Sequence, residues 1–90
     1  MEPREREIRL GGLRFHYLEW GRAVAPSLIL LHGFTGHART WDHVAAPLAG
    51  RFRVLALAQR GHGDSDWAPD GDYRIASMAR ALAAFAEALC

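Results

Sequence analysis

Two short segments, each shortly after an apolar run, carry the residue types that could do chemistry. The first is H-G-F-T-G at residues 32–36, which follows the apolar run Leu28–Leu31. A run this short, closed by glycine, predicts a strand that is buried on both faces. Gly33 and Gly36 permit a tight turn, and ligands of open α/β sheets bind at the carboxyl ends of the strands. The segment therefore indicates either a loop that holds an anion with its backbone N–H groups or a plain strand-to-helix turn.

The second segment, R-G-H-G-D-S at residues 60–65, follows a predicted strand at residues 53–58, in which residues 54–57 are continuously apolar. Taken in this order, the two segments resemble the amino-terminal third of the α/β-hydrolase fold, and the resemblance extends from about Ile8 to Leu89. In that fold, the loop after the third strand donates one N–H group to the oxyanion hole.

The resemblance implies a role for several residues of the two loops. The backbone N–H of Phe34 would be the oxyanion donor, Gly33 would permit the close approach, and Thr35 would belong to the same oxyanion and substrate-binding loop. The Phe34 ring would line the substrate pocket. Four further residues would brace the loops: His32, Arg60, Gly61 and Gly63. His32 could also be considered as a general base, but its place directly after a buried strand favours the bracing role.

The catalytic groups of the fold are missing from the sequence. An α/β-hydrolase places its serine in a G-x-S-x-G elbow, and the acid and histidine follow later in the chain. No G-x-S-x-G occurs here, and the serines are Ser27, Ser65 and Ser77. We therefore expect no catalytic residue in this chain, which resembles an amino-terminal fragment or a truncated product that stops before the nucleophile.

Composition excludes several other functions. The formal net charge is +1, and the basic residues, 11 in number, are all arginines scattered along the chain, so we expect no nucleic-acid partner. The charged amino terminus lacks the apolar core of a signal peptide, and no apolar run reaches membrane-spanning length. The single cysteine, Cys90, cannot form a disulfide within the chain. These features predict a cytoplasmic protein with no membrane contact.

Metal and cofactor binding are not expected. The spacing of His32, His37, His43 and His62 matches no metal signature. The alternating aspartates of the second loop resemble a calcium loop, but the required downstream glutamate and the overall spacing are absent. We interpret them as a solvated acidic turn: Asp64, Asp66, Asp70 and Asp72.

The coarse pattern predicts one partial α/β domain over residues 1–90. Strands are expected at about residues 5–10, 13–20, 27–31 and 53–58, and helices at about 41–48 and 75–89. Gly11-Gly12 indicates a hairpin between the first two strands, with His16 on the solvent side. The last two strands, joined through a helix, should be parallel. The last helix carries a continuous apolar stripe: Ile75, Met78, Ala79, Leu82, Phe85, Ala86 and Leu89.

The first helix should have Thr40 as its N-cap, Trp41 as a core anchor and Pro47 as an early stop or kink. Three other positions depart from the family pattern. Ala58 stands where an aspartate usually braces the second loop, Arg74 replaces a Ser or Thr N-cap, and Ala81 replaces a common acidic residue. Each change removes a polar brace, and the change at Ala58 predicts a looser loop.

The predicted function is the amino-terminal portion of a hydrolase that acts on ester or related acyl substrates, inactive alone and with a small-molecule substrate in the full-length protein. Within the fold, the alternatives are a carbon–carbon lyase of the menaquinone pathway, an epoxide hydrolase or a haloperoxidase. A different class of alternative is a non-catalytic remnant or partner-binding module. The strand at residues 28–31 would lie at a bare sheet edge, which predicts marginal stability and self-association.

Overall fold

The computed structural model describes residues 3–32 and 41–90, and of Asp42 it describes the backbone only. Four strands and two helices follow in chain order: β1 (Arg4–Leu10), β2 (Leu13–Trp20), β3 (Ser27–Leu31), α1 (Asp42–Leu48), β4 (Arg53–Leu57) and α2 (Ile75–Leu89). The predicted α/β class is confirmed. The elements lie within one residue of the expected bounds: β1 starts at Arg4, α1 at Asp42, and β4 ends at Leu57 rather than at Ala58.

A tight hairpin joins β1 to β2. The strands pair antiparallel from Arg4 opposite Glu19 to Leu10 opposite Leu13, so only two residues form the turn. Gly11 and Gly12 have φ angles of 58° and 85°, which β-carbon sterics disfavour in other residues. The double glycine therefore fixes the register of the hairpin, as the sequence predicted.

The strand β4 lies between β2 and β3 in a mixed sheet of order β1-β2-β4-β3. It pairs antiparallel with β2 and parallel with β3, from Ser27 opposite Arg53 to Leu31 opposite Leu57. Its continuous apolar run is buried because both faces of the sheet are covered at this strand. Among the described residues, β3 forms one edge of the sheet.

A core lies on each face of the sheet. One face of β2 and β4 packs against α1, with Trp20 and Val54 buried beside Ala45 and Ala49. Trp41 packs on this cluster, so its prediction as a core anchor is confirmed. The opposite face packs against α2, where the Tyr17 and Phe85 rings meet edge to face at 5.2 Å. Each helix therefore covers a different layer, which is the arrangement of an α/β domain.

The helix α1 is short. It begins after Trp41, which occupies the N-cap position without a side-chain cap, whereas the predicted cap, Thr40, lies outside the described residues. Pro47 lies inside the helix, which ends at the next residue. The helix thus ends early, as expected, and Pro47 removes one bond of its ladder because proline has no N–H.

The helix α2 begins with an unusual cap. Arg74 is the N-cap residue, in extended conformation and without a side-chain cap, as the sequence indicated. Asp72 accepts hydrogen bonds from the Arg74 backbone N–H at 3.2 Å and from the Ser77 hydroxyl at 2.6 Å. Hydrogen bonds from Arg74 and Ser77 hold the pKa of the Asp72 carboxyl well below its usual range. Asp72 therefore supplies the polar brace that the N-cap position lacks.

The predicted apolar stripe of α2 is only partly buried. Phe85 is fully buried and Leu89 packs beside it, but Ile75 is 82% exposed. Ala81 and Ala84 pack on the core instead. The helix is rich in alanine, so two of its flanks are apolar and a stripe at helical spacing does not identify which flank faces the sheet. Ala81, which replaces an acidic residue of the family pattern, is thus a packing residue.

Candidate functional site

His32 directly follows β3, at the carboxyl ends of the two parallel strands. The oxyanion residues predicted after it, Gly33, Phe34 and Thr35, lie outside the described residues. His32 is buried, and its Nε2 accepts the backbone N–H of Gln59 at 2.9 Å. The Gln59 side chain donates in return to the His32 carbonyl at 3.2 Å.

These reciprocal bonds connect the chain after β3 to the chain after β4. Because the lone pair of Nε2 is engaged by a backbone amide, this nitrogen does not act as a general base in the observed arrangement. The ring of His62 lies beside that of His32, with the ring centroids 4.8 Å apart. The imidazole of His32 thus joins the end of β3 to the start of the loop after β4, at the carboxyl ends of the parallel strands.

The loop after β4 turns tightly at Gly61. Its φ angle is +76°, and its N–H donates to the Asp66 carbonyl at 2.9 Å. The φ angle favours glycine, and a β-carbon at this position would lie 2.7 Å from the Tyr73 ring, so the tyrosine would have to shift. Gly63, the other predicted bracing glycine, lies in the same loop.

Arg60 connects this loop to the start of α2. Its guanidinium donates to the Asp72 carbonyl at 3.1 Å and to the Ser77 carbonyl at 3.4 Å. The planar fork of arginine suits two acceptors on neighbouring turns of the chain. Arg60 therefore holds the loop and the first turn of α2 together.

Ser65 attaches the loop after β4 to the neighbouring strands, a role that was not predicted from the sequence. Its buried hydroxyl donates to the Ala58 carbonyl at 2.5 Å and accepts the backbone N–H of His16 at 2.9 Å. Asp66 adds reciprocal bonds to the backbone of Arg14, through its side chain at 2.9 Å and its N–H at 2.8 Å. The loop is thus attached to β2 although no aspartate stands at Ala58. A serine after two glycines in a strand-to-loop turn is the only signal that the sequence offers for this.

The serines at positions 65 and 77 do not have the arrangement of an activated nucleophile. Ser65 donates its hydroxyl proton to the Ala58 carbonyl, which cannot take it. Ser77 donates to the Asp72 carboxylate, a poor proton acceptor because hydrogen bonds from Arg74 and from Ser77 itself hold the pKa of Asp72 well below its usual range. A serine nucleophile instead donates to a base that can take the proton during attack.

An apolar groove of about 560 Å³ lies beside His32. It is bounded by the end of β3, the loop after β4 and the exposed flank of α2, and its walls include Leu31, His62, Tyr73, Ile75, Met78 and Leu82. This is the carboxyl-terminal side of the parallel strands, where open α/β sheets bind ligands. The groove explains why the predicted stripe of α2 is only partly buried.

A family model for the alpha/beta hydrolase fold matches residues 26–89, which include both glycine-bracketed loops and the strands before them. The chain belongs to the α/β-hydrolase fold family. Among relatives of this family, the chain is 40% identical over 82 residues to N-formylmaleamate deformylase of Pseudomonas putida, covering 91% of this chain and 30% of the relative. It is 42% identical over 59 residues to epoxide hydrolase 4 of Mus musculus, covering 66% of this chain and 16% of that relative.

Solved structures of α/β hydrolases share this fold. The thioesterase domain from the curacin biosynthetic pathway superposes with a TM-score of 0.94 at 25% identity, covering 100% of this chain and 34% of that domain. The chain thus spans about a third or less of each of these proteins. Neither of its two described helices combines the length and the apolar character needed to cross a bilayer.

Proposed function

We propose that these residues form the amino-terminal part of a hydrolase that acts on ester or related acyl substrates. The observation that carries the proposal is the bracing of His32, which fixes the start of the H-G-F-T-G loop at the end of the parallel strands. In this position, the N–H of Phe34 would stabilise the oxyanion that forms when an acyl carbon is attacked. Two of the three similar proteins named above, a deformylase and a thioesterase, have names that denote acyl-group hydrolysis.

The nucleophile in this proposal is a serine of a G-x-S-x-G elbow that follows the present residues in the complete enzyme. Residues 1–90 alone would have no serine-hydrolase activity, since the sequence contains no such elbow. The substrate would be a small molecule that is in part apolar, because the groove beside His32 is lined mainly by apolar side chains. A cytoplasmic location is also part of the proposal, supported by the low cysteine content of these residues.

An epoxide hydrolase is the second candidate, because the mouse relative carries that name. The two candidates are distinguished by turnover measurements on the complete reading frame from the native source. A p-nitrophenyl ester and a styrene-type epoxide should be compared at equal enzyme concentration. We expect hydrolysis of the ester with a kcat/KM at least about tenfold above that for the epoxide, which corresponds to about 1.4 kcal/mol of transition-state stabilisation. Preferential opening of the epoxide would contradict the proposal.

We further propose that residues 1–90, taken alone, self-associate through β3. This strand has β4 as its neighbour on one side, its central residues are only partly buried, and Leu31 is 36% exposed. An apolar edge with unpaired backbone groups pairs with other chains.

Replacement of Leu31 by lysine should reduce this self-association, because edge lysines oppose strand pairing. Sedimentation velocity at several concentrations should show concentration-dependent oligomers for the parent chain and a larger monomer fraction for Leu31→Lys. Val24→Lys is the matched control, since Val24 is also exposed but lies outside the strands. A monomeric parent chain, or an equal effect of both variants, would refute association through β3.

A further inference from the structure

A cleft on the sheet face opposite α2 brings together three side chains that are far apart in the sequence. Glu5 lies on β1, His16 on β2 and Asp64 in the loop after β4. Each offers one ligand atom, and these atoms all lie within 4.8 Å of one another. The hairpin register and the attachment of the loop to β2 bring these residues together, so no local sequence motif indicates the grouping.

The spacing is close to that of ligands around one small divalent ion. Bonds of about 2.0–2.1 Å in tetrahedral geometry place ligand atoms roughly 3.3 Å apart. The Nε2 of His16 and the Oε1 of Glu5 are already 3.1 Å apart. Asp64 has an exposed side chain, and its ligand atom lies within 4.8 Å of the other two.

The backbone around the three ligands is held in place. The His16 N–H donates to the Ser65 hydroxyl at 2.9 Å, and the His16 carbonyl accepts the N–H of Ala58 at 3.0 Å. The carbonyl of Asp64 accepts a bond from Arg14 at 3.1 Å. The His16 side chain is only 12% exposed, so its ring has little freedom to turn away. A cation would therefore meet partly preformed ligands, which lowers the entropy lost on binding.

The charges of the cleft favour a cation. Its walls carry three carboxylates, Glu5, Glu7 and Asp64, and two arginines. Arg6 is paired with Glu19, and Arg14 forms an ion pair with Glu7. Over residues 3–32 and 41–90, no arginine side chain is paired with the carboxylate of Glu5 or of Asp64. The Asp64 carboxylate is thus available to a metal ion, and the ion would replace the hydrogen bond that Glu5 makes with His16.

We propose that Glu5, His16 and Asp64 bind a divalent first-row transition metal ion such as Zn²⁺. One imidazole nitrogen and two carboxylate oxygens are ligands that such ions accept, and water would complete the coordination shell. The site is distinct from the groove beside His32. A bound ion would connect β1, β2 and the loop after β4, so its effect would be on the stability of the hairpin and loop.

The test is a calorimetric titration of the metal-free protein, at the length that its gene encodes, with ZnCl₂. We expect one Zn²⁺ per chain, a rise in Tm on saturation, and a change in the ¹⁵N chemical shift of His16 Nε2. His16→Gln should weaken binding at least tenfold. His43→Gln, an exposed histidine of α1, is the matched control and should bind Zn²⁺ like the parent.

Asp64→Asn is a second test that does not depend on how well the His16 variant folds. Because Asp64 is exposed, its replacement should weaken Zn²⁺ binding and leave the metal-free Tm unchanged. A lack of Zn²⁺ binding would overturn the proposal. The same holds if His16→Gln and His43→Gln bind Zn²⁺ equally well. Binding of Ca²⁺ as tight as that of Zn²⁺, unaffected by His16→Gln, would show a carboxylate-only site and would also overturn it.

Discussion

Replacement of Glu19 by glutamine is expected to lower the free energy of unfolding by about 3 kcal/mol. Glu19 is 4% exposed and sits among three guanidinium groups, with Nε–Oε distances of 2.7 Å to Arg53, 3.1 Å to Arg4 and 3.3 Å to Arg6. Arg53 also donates to the Leu89 carbonyl at the end of α2. With the neutral amide of glutamine at position 19, the largely buried guanidinium of Arg53 would have no counter-charge. We take the lower end of the usual cost of removing one partner of a buried ion pair, since Arg4 and Arg6 are about half exposed and can turn to water.

The effect should depend on pH. Burial alone raises the pKa of the Glu19 carboxyl, but hydrogen bonds from Arg53 and Arg4 outweigh it, so the pKa of Glu19 lies below its ordinary value. The stabilisation is complete above the unfolded-state pKa of about 4.3 and is lost as the pH falls through the lower folded-state pKa.

Urea unfolding at pH 7 and at pH 3 measures both parts of this prediction. The difference between the parent and Glu19→Gln should be largest at pH 7 and should shrink in acid. Glu87→Gln, at an exposed position of α2, is the control. Equal unfolding midpoints for the two variants at pH 7 would refute the assigned role of Glu19.

Replacement of Phe34 by proline in the complete enzyme should lower kcat about 10²- to 10³-fold on an ester substrate. Proline removes the N–H group that is proposed to stabilise the oxyanion, an interaction made mainly in the transition state, so KM should change little. Phe34→Leu keeps the N–H and most of the apolar bulk, and its kcat should stay within about tenfold of the parent.

A melting curve followed by circular dichroism separates this effect from misfolding of the proline variant. If Phe34→Pro folds and retains the kcat of Phe34→Leu, the N–H of Phe34 is not an oxyanion donor. If both variants raise KM and leave kcat unchanged, Phe34 contributes its ring to substrate binding and not its backbone to catalysis.

The sequence predicts the architecture because each local signal agrees with the global fold. The double glycine at positions 11 and 12 fixes the hairpin, and the uninterrupted apolar run of β4 shows that this strand is covered on both faces. The apolar stripe of α2 is present as predicted, but it is exposed at Ile75, because an alanine-rich helix has two apolar flanks. Periodicity shows that a flank is apolar but not what covers it.

The contacts that position the site were harder to predict, since they join residues far apart in the chain. The Ser65 hydroxyl accepts a hydrogen bond from the N–H of His16, which lies 49 positions away in the chain. Glu19 forms ion pairs with arginines of both β1 and β4. His16 was expected on the solvent side, yet its side chain is only 12% exposed because the loop after β4 and Glu5 cover it. Such contacts depend on the register and on the path of a loop, neither of which is encoded locally.

The central claim is that this chain provides the oxyanion loop of a serine-type acyl hydrolase whose nucleophile lies outside residues 1–90. Labelling with a fluorophosphonate probe, followed by intact-mass analysis, tests it most directly. The complete product of the reading frame should gain one probe mass on a serine beyond position 90, whereas residues 1–90 alone should stay unlabelled. Labelling of Ser27, Ser65 or Ser77, or an active complete enzyme that the probe does not modify, would contradict the claim.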